Sequence, residues 1–350
     1  MVNRFYNLDI WKKESGIRLQ GSHSLDFSKV QAPCVVNVPT GGYRLYYTAV
    51  GPGKPIKQCQ GYILSAFSED GLQFESETGI RLEPQAEIEY MSRRILAPTV
   101  TQISKSRWRM YFESRGTADV PTVICSAVST DMLNWELEGG IRLQGFSGVG
   151  GPRFVSLPDG RCRLYCFATE WIKGLSQKDN HIRKQCIISA VSKNGLRFEM
   201  EDGYRICDKQ NNYDTAGLTA AEVIPPLKYN NQWTMFFSAW QDVPDGTNVP
   251  LHPAFDLNDD ADNFAKASIA ADISGYRSRI FKAISENGLD WKSAECVIQG
   301  GGYESDEVDA VHAEDMSLIK IDLNQYRMYY AACDRIGNWR ILSAVSEVNS

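Results

Sequence analysis

The sequence has no basic stripe. Its 37 lysines and arginines are interspersed among 43 aspartates and glutamates, for a formal net charge of −6, which excludes nucleic acid as a main partner. No apolar run approaches the roughly 20 residues of a membrane span, so no membrane partner is expected. The opening stretch MVNRFYNLDIWKKESG lacks the apolar core of a signal peptide. Histidine is scarce: His23, His181, His252 and His312 have no metal-ligand spacing. The acidic run DLNDDADN at 256–263 lacks the glycine and terminal glutamate of a calcium loop. Phosphate loop, GxSxG and Cys–His signatures are missing. These absences predict no cofactor and no metal. The nine cysteines are scattered without paired spacing, which predicts free buried thiols in a reducing cytoplasm. No segment sustains a 3.6-residue period between strand-like runs, which excludes parallel βαβ folds.

What the sequence does have is one phrase repeated along its length. YILSAFSEDGLQFE (62–75), VICSAVSTDMLNWE (123–136), CIISAVSKNGLRFE (186–199) and RIFKAISENGLDWK (279–292) are followed by a partial fifth copy, RILSAVSEVNS (340–350). The serines Ser68, Ser129, Ser192, Ser285 and Ser346 step by 61, 63, 93 and 61 residues. The missing tail of the fifth copy stands at the other end. Residues 16–21, GIRLQG, are identical to 140–145, and a tryptophan sits five residues before each (Trp11, Trp135). A repeat completed by the first residues describes a closed ring, and a ring has an axis where a ligand can sit.

Each unit contains four strand-like runs. The first follows Ala-Pro or a similar pair, as in APCVVNV (32–38) and APTVTQI (97–103). The second is aromatic and alternating, as in YRLYYTA (43–49). The third is the ILSAxS run, and the fourth begins at the repeated Phe or Trp and ends in GIRL. Period-two alternation of Val, Ile, Tyr and Phe is the strand signature. Asp70-Gly71, Asn194-Gly195 and Asn287-Gly288 suit a tight hairpin between the third and fourth strands. Four antiparallel strands per roughly 61-residue unit predict an all-β, five-bladed β-propeller, closed by the N-terminal strand completing the last blade. Length alone suggests two or three domains. The repeat instead predicts a single domain over 1–350, with blades at about 31–83, 97–145, 148–207, 220–300 and 312–350 plus 4–21. Most of the repeated Ser, Gly and Trp/Phe residues are then scaffold.

Function should lie on the face where inner strands start and second strands end, because loop variation concentrates there. The 30-residue excess of the fourth step is an insertion, 241–278, expected over the funnel. Inner-strand starts carry Glu222, His312, Glu314 and Asp315, with Arg153 beside Pro152. Second-strand ends carry Glu113 and Arg115, Glu170 and Trp171, Trp240 and Asp242, and Asp334 and Arg335. Carboxylates converging on an axis are costly unless paired or used, and pairs in unlike environments can divide acid and base roles. Trp171 and Trp240 offer flat faces that suit sugar rings. Glu113/Arg115 and Asp334/Arg335 are equally well read as local ion pairs bracing loops.

These five units, the Ala-Pro strand start and the SAxSxDGxxF/W hairpin resemble the five-bladed propeller glycosidases, which include arabinanase/xylosidase, invertase/levansucrase and mannoside-phosphorylase-like families. The resemblance covers the whole chain. LAPTV (96–100) is similar to that group's WAPDV, with Leu96 replacing the tryptophan. In the arabinanase-like group, three carboxylates on inner-strand starts act as base, pKa-tuning aspartate and glutamic acid. Here the matching positions are Ala32 (nearest acid Asp26, six residues upstream), Gly151, and a site near Ala220, two residues from Glu222. The aligned triad is not reproduced. The resemblance implies a glycoside-active enzyme; with the strand-end residues it leads to relocated carboxylates, Glu222 as proton donor and Glu314 or Asp315 as base, and to Glu113, Arg115, Arg153, Glu170, Trp171, Trp240, Asp242, His312, Asp334 and Arg335 binding a glycoside or small oligosaccharide, in the cytoplasm that the cysteines predict. A lyase, isomerase or cyclase acting on another metabolite, or a non-catalytic sugar-binding propeller, remains open on the same scaffold.

Overall fold

The alternating aromatic and β-branched runs form strands. The structure, a computed structural model, describes residues 8, 10–26, 29–51, 60–117, 119–173, 181–207, 217–226, 231–250, 275–323 and 325–347. β1 (Trp11–Lys13) and β2 (Leu19–Gln20) are followed by β3 (Lys29–Asn37), β4 (Tyr43–Gly51), β5 (Gln60–Ser68) and β6 (Glu75–Ser76). Next come β7 (Arg94–Ser104), β8 (Arg107–Arg115), β9 (Val123–Ser129) and β10 (Glu136–Leu143), then β11 (Gly148–Ser156), β12 (Cys162–Lys173), β13 (His181–Ser192), β14 (Glu199–Met200) and β15 (Ile206–Cys207). β16 (Gly217–Ile224), β17 (Trp233–Asp242), β18 (Tyr276–Ser285) and β19 (Trp291–Ile298) precede β20 (His312–Asp322), β21 (Gln325–Cys333) and β22 (Trp339–Ser346). The fold is all-β. Among the described residues the helical content is one 3-10 turn, Glu89–Met91, and no helix is long and apolar enough to cross a membrane.

Within each group the strands pair as antiparallel meanders. The outer strands of the last group come from the other end of the sequence. β1 pairs with β22, placing Trp11 opposite Ser346, and β2 pairs with β22 through Leu19 and Ile341. Single parallel bridges tie neighbouring meanders: Gly61 to Arg94, Thr122 to Gly148, and Ser278 to His312.

The repeated serine motif proves to be a capped turn rather than a two-residue hairpin. Asp70 Oδ1 accepts the N–H groups of Leu72 and Gln73 (2.7 and 3.0 Å), and Ser68 Oγ accepts that of Gly71 (2.9 Å). Asp131, Asn194 and Asn287 repeat the arrangement. A short acceptor side chain can bond its own backbone two residues on, which satisfies the turn without strand pairing. The carbonyl inside each turn then accepts a tyrosine from the preceding meander. Tyr46 donates to Met132 O, Tyr111 to Gly195 O and Tyr165 to Gly288 O, and Tyr329 of the last meander donates to Gly71 O of the first. Where β22 is joined by β1 instead of a hairpin, the corresponding residue is Phe236. It packs edge-on against Trp11, with centroids 5.4 Å apart. Edge-to-face pairs occupy the same place elsewhere: Tyr46–Trp135, Tyr111–Phe198, Tyr165–Trp291 and Phe74–Tyr329, each of the kind worth about 1 kcal/mol beyond area burial.

Buried ion pairs repeat in the same way. Arg44–Glu77, Arg109–Glu138 and Arg163–Glu201 lie within their meanders, while Arg327 of β21 reaches Glu14, just after β1, at 2.8 Å.

The free-thiol expectation is corrected at one pair. β15 lies beside β13 with Cys207 directly opposite Cys186, their Cα atoms 4.1 Å apart, and the two form a disulfide. Residues 21 apart in sequence gave no paired spacing to notice. Cys34, Cys125, Cys162, Cys166, Cys296 and Cys333 are free thiols. Of the insertion 241–278, residues 251–274 lie outside the described residues, as does the acidic run 256–263.

Candidate functional site

The inner strands β3, β7, β11, β16 and β20 each carry a bulge, where the ladder register shifts. At each bulge one residue takes a left-handed backbone: Ala32 (φ 46°), Ala97 (49°), Gly151 (56°), Ala220 (46°) and Asp315 (51°). Left-handed φ strains any residue that carries a Cβ; one of the five positions holds Gly and three hold Ala. The fifth holds an aspartate, a type that tolerates this conformation and brings a carboxyl to the cavity described below. A residue held in this strained region is a reasonable marker of function.

Two sets of side chains flank the bulges. In the upper set, second-strand side chains accept the N–H of a neighbouring bulge residue. Thr48 Oγ1 accepts from Ala97 (2.8 Å), Ser238 Oγ from Asp315 (2.9 Å), and Glu113 Oε2 from Gly151 (2.9 Å). Glu113 thus does the work of a hydroxyl and adds a charge, which Arg115 neutralises through its Nε. Gly150 makes room for it, because a Cβ there would stand 2.3 Å from Glu113 Oε2.

The lower set lies two residues further along each inner strand: Cys34, Thr99, Arg153, Glu222 and Ser317. Cys34 Sγ accepts Val100 N–H, Thr99 Oγ1 accepts Phe154 N–H, Ser317 Oγ accepts Val35 N–H, and the Glu222 carboxylate accepts Leu318 N–H. Arg153 offers no acceptor. Its Nε instead pairs with Glu222 Oε2 at 3.1 Å, and its Nη1 donates to Pro98 O and Pro152 O.

A cavity of about 400 Å³ opens above these side chains. Glu113, Arg115, Trp240, Glu314 and Asp315 line it, together with Lys29, Gln31, Arg94 and Gln185. Gln31 Nε2 donates to Glu314 Oε1 at 3.4 Å. Burial pushes the Asp315 carboxyl up to about 6, with Arg153 and Lys29 pulling down and Glu113 pushing up. Burial also raises Glu222, against the pull of Arg153. Among the described residues no group of three potential metal ligands gathers.

The other expected site residues fall elsewhere. Glu222 and Arg153 form the ion pair below the cavity and are not part of its lining. His312 is fully buried between Trp240 and Trp339, with centroids 5.4 Å away on each side, and its Nδ1 lies 3.0 Å from Ser278 Oγ. It fixes Trp240, which does line the cavity. Asp334 and Arg335 do not pair with each other: Asp334 caps its own turn and binds Arg340 at 3.0 Å, while Arg335 reaches Asp306 on the surface. Glu170 is half-buried on β12, with Tyr204 OH 3.5 Å from its Oε2. The side chains of Trp171 and Asp242 lie outside the described residues. Asp26, the acid nearest Ala32 upstream, is buried and accepts Tyr47 OH (2.9 Å) and His23 N–H (2.7 Å). Sequence reading missed Lys29, Arg94, Gln31 and Gln185. Alignment on the bulge residue would have found the first two, since Lys29 and Arg94 each precede it by three positions.

No protein-family model matches the sequence, and no curated protein matches it. Solved structures do match over nearly the whole chain. A BT0996 RGII complex is 13% identical with a TM-score of 0.67, covering 98% of this chain and 92% of that one. A structure from work on the GH130 family of mannoside phosphorylases, which contains glycoside hydrolases that target β-1,2 mannosidic linkages in Candida mannan, is 10% identical with a TM-score of 0.64, covering 98% and 95%. A thermostable family-43 glycoside hydrolase is 13% identical with a TM-score of 0.59, covering 97% and 92%. The chain shares the fold of these glycoside hydrolases, as its resemblance implied.

Proposed function

We propose that the protein is a glycoside-active enzyme built on a five-bladed propeller, closed where β1 and β2 complete the blade of β20–β22. The cyclic tyrosine, aromatic and Arg–Glu contacts support the ring. The observation that carries the function is the pair of unlike carboxyls in one cavity, Asp315 raised to about 6 and Glu113 held as an ion pair with Arg115. Carboxyls pushed into different environments can divide acid and base work. Asp315 is the proton donor to the leaving oxygen. Glu113 is the carboxylate that activates water or stabilises positive charge at the sugar carbon. Glu314, bonded by Gln31, orients the substrate, and Trp240 gives it a stacking face. This assignment moves the acid from Glu222 to Asp315, because Glu222 is engaged by Arg153 below the cavity. The neighbours described with RGII and with mannosidic linkages support a sugar substrate.

The test is hydrolysis of aryl glycosides and small oligosaccharides by wild type, D315N, E113Q and E222Q. Both D315N and E113Q should lose about 10²–10⁴ in rate. Aryl groups that depart without protonation should restore D315N but not E113Q. If E222Q were inactive yet folded while D315N kept full rate, the assignment would fail. Silence of wild type on the whole panel would favour the lyase, isomerase, cyclase or binding readings. One observation supports those: the positions matching the resembled family's acids hold Ala32, Gly151 and Ala220 at the bulges.

A further inference from the structure

Two aromatic side chains stand where the other copies of the repeat carry none. Residues 16–21 and 140–145 are the same hexapeptide, yet Ser22 follows the first and Phe146 the second. The phrase GIRL places Ile17, Ile80 and Ile141 in its second position, and the matching phrase GYRI (203–206) places Tyr204 there. Both rings are open to solvent, Phe146 at 38% and Tyr204 at 39% exposure, with centroids 6.1 Å apart and planes 40° from one another. Met200 extends the same surface, since a Cβ on Gly145 would stand 2.8 Å from its Cε. Phe146 also takes a left-handed backbone, φ 55°, which is an outlier for a bulky residue. A side chain this open gains little core packing to offset that strain, and strained residues gather at ligand clamps.

The pair adjoins the cavity. Ser147, the residue after Phe146, lines the cavity and donates its N–H to Thr169 O at 2.9 Å, and Thr169 lines it too. Glu170 follows Thr169, and Tyr204 OH lies 3.5 Å from its Oε2. Consecutive Cα atoms are about 3.8 Å apart, less than the width of a sugar ring, so a chain leaving the cavity past Ser147 meets Phe146 next. An aromatic face covers the apolar C–H side of such a ring, and a carboxylate beside it accepts hydroxyl hydrogens while disfavouring an anionic sugar. We infer that Phe146, Tyr204 and Met200, edged by Glu170, form a second subsite at the rim that holds an uncharged sugar unit of an oligosaccharide whose end lies in the cavity. The enzyme then takes chains in preference to single glycosides. The inference rests on the glycoside reading for what enters the cavity.

Calorimetric titration of the whole protein reads binding apart from turnover. The probes are the mono-, tri- and pentasaccharides of xylo-, arabino-, manno- and gluco-series. In at least one series a longer chain should bind about tenfold more tightly than the monosaccharide, as expected for stacking on two aromatic rings. F146S and Y204I each restore the residue found at the matching place of another copy, so both should stay folded by circular dichroism. Each should lose most of the gain with length and keep the monosaccharide affinity, whereas F146Y should retain the gain. Should F146S fail to fold, Y204I alone decides. No gain with length in any series, no binding of any probe, or an unchanged gain in the folded variants overturns the proposal. A fall in thermal stability with the gain intact overturns it too, because the rings would then serve packing alone. Length-dependent binding with no chain ever cleaved would refute the glycosidase reading and leave the subsite standing. Cleavage at the same kcat/KM for short and long chains, in wild type and variants alike, would keep that reading and remove the subsite.

Discussion

Asp315→Asn tests whether the site is held at a cost to the fold. The Asp315 carboxyl is raised by burial from 3.8 to about 6. The folded protein therefore holds this proton more tightly than the unfolded chain. Its stabilising effect is fully present below about 4 and is lost as the pH rises through about 6. A shift of that size corresponds to about 3 kcal/mol. Because Asp315 is half-buried, solvent reduces this to about 2 kcal/mol. Asparagine tolerates the left-handed backbone as aspartate does and carries no charge at any of these pH values. Denaturant titrations of both proteins at pH 4 and pH 8 should give a mutant-minus-wild-type difference near zero at pH 4. At pH 8 the mutant should be more stable by about 2 kcal/mol while losing its rate. Groups common to both proteins cancel in that difference. A difference equal at both pH values, or a mutant less stable at pH 8, would refute the reasoning that burial strains this carboxylate.

Glu222→Gln leaves Arg153 without its carboxylate and should cost about 3 kcal/mol or more in denaturant midpoint analysis, with the pH profile of activity unmoved. Tyr329→Phe strands the Gly71 carbonyl and should cost about 1 kcal/mol, whereas Phe236→Tyr should cost about 1–3 kcal/mol by pressing a hydroxyl onto the Trp11 ring. Equal and negligible effects would argue against the cyclic turn contacts. Reduction of Cys186–Cys207 should cost about 3 kcal/mol for a loop of this length. Alkylation at the moment of cell lysis, read by mass spectrometry, tells whether the bond exists in the cell. A reduced pair would support the cytoplasmic location expected from the sequence, and an oxidised one an oxidising compartment.

The strands, their grouping and the return of the N-terminal segment were legible because each rests on a period or a repeat. The Tyr46, Tyr111, Tyr165, Phe236, Tyr329 series was equally visible, yet its meaning needed the carbonyls it meets. The site was less legible, and the bulge is the physical reason. A bulge sets two residues against one, so alternation counted along the strand fails across it. Glu222 and Glu314 look alike as inner-strand acids, but they stand on opposite sides of the bulge residue. One faces Arg153 below the cavity and the other lines it. His312 was misplaced for a different reason. Its burial comes from Trp240 and Trp339, which are far from it in sequence. Asp334 looked like a partner for Arg335, but the Asn338 and Ile336 amides hold it in its own turn.

Glu314 and Asp315 lie on the meander whose strands come from two distant segments of sequence. Elsewhere, melting an outer strand breaks contacts between neighbours in the chain. Here, detachment of β1 and β2 releases β22, then β21, and then the strand that bears both acids. Local openings follow the least costly path, and this path leads to Glu314 and Asp315. Mild heating should therefore abolish the proposed activity before the bulk of the sheets is lost, and amides of β22 should exchange with deuterium ahead of those of β8 or β12. A ligand seated on Asp315 would slow both, so that substrate itself fastens the join.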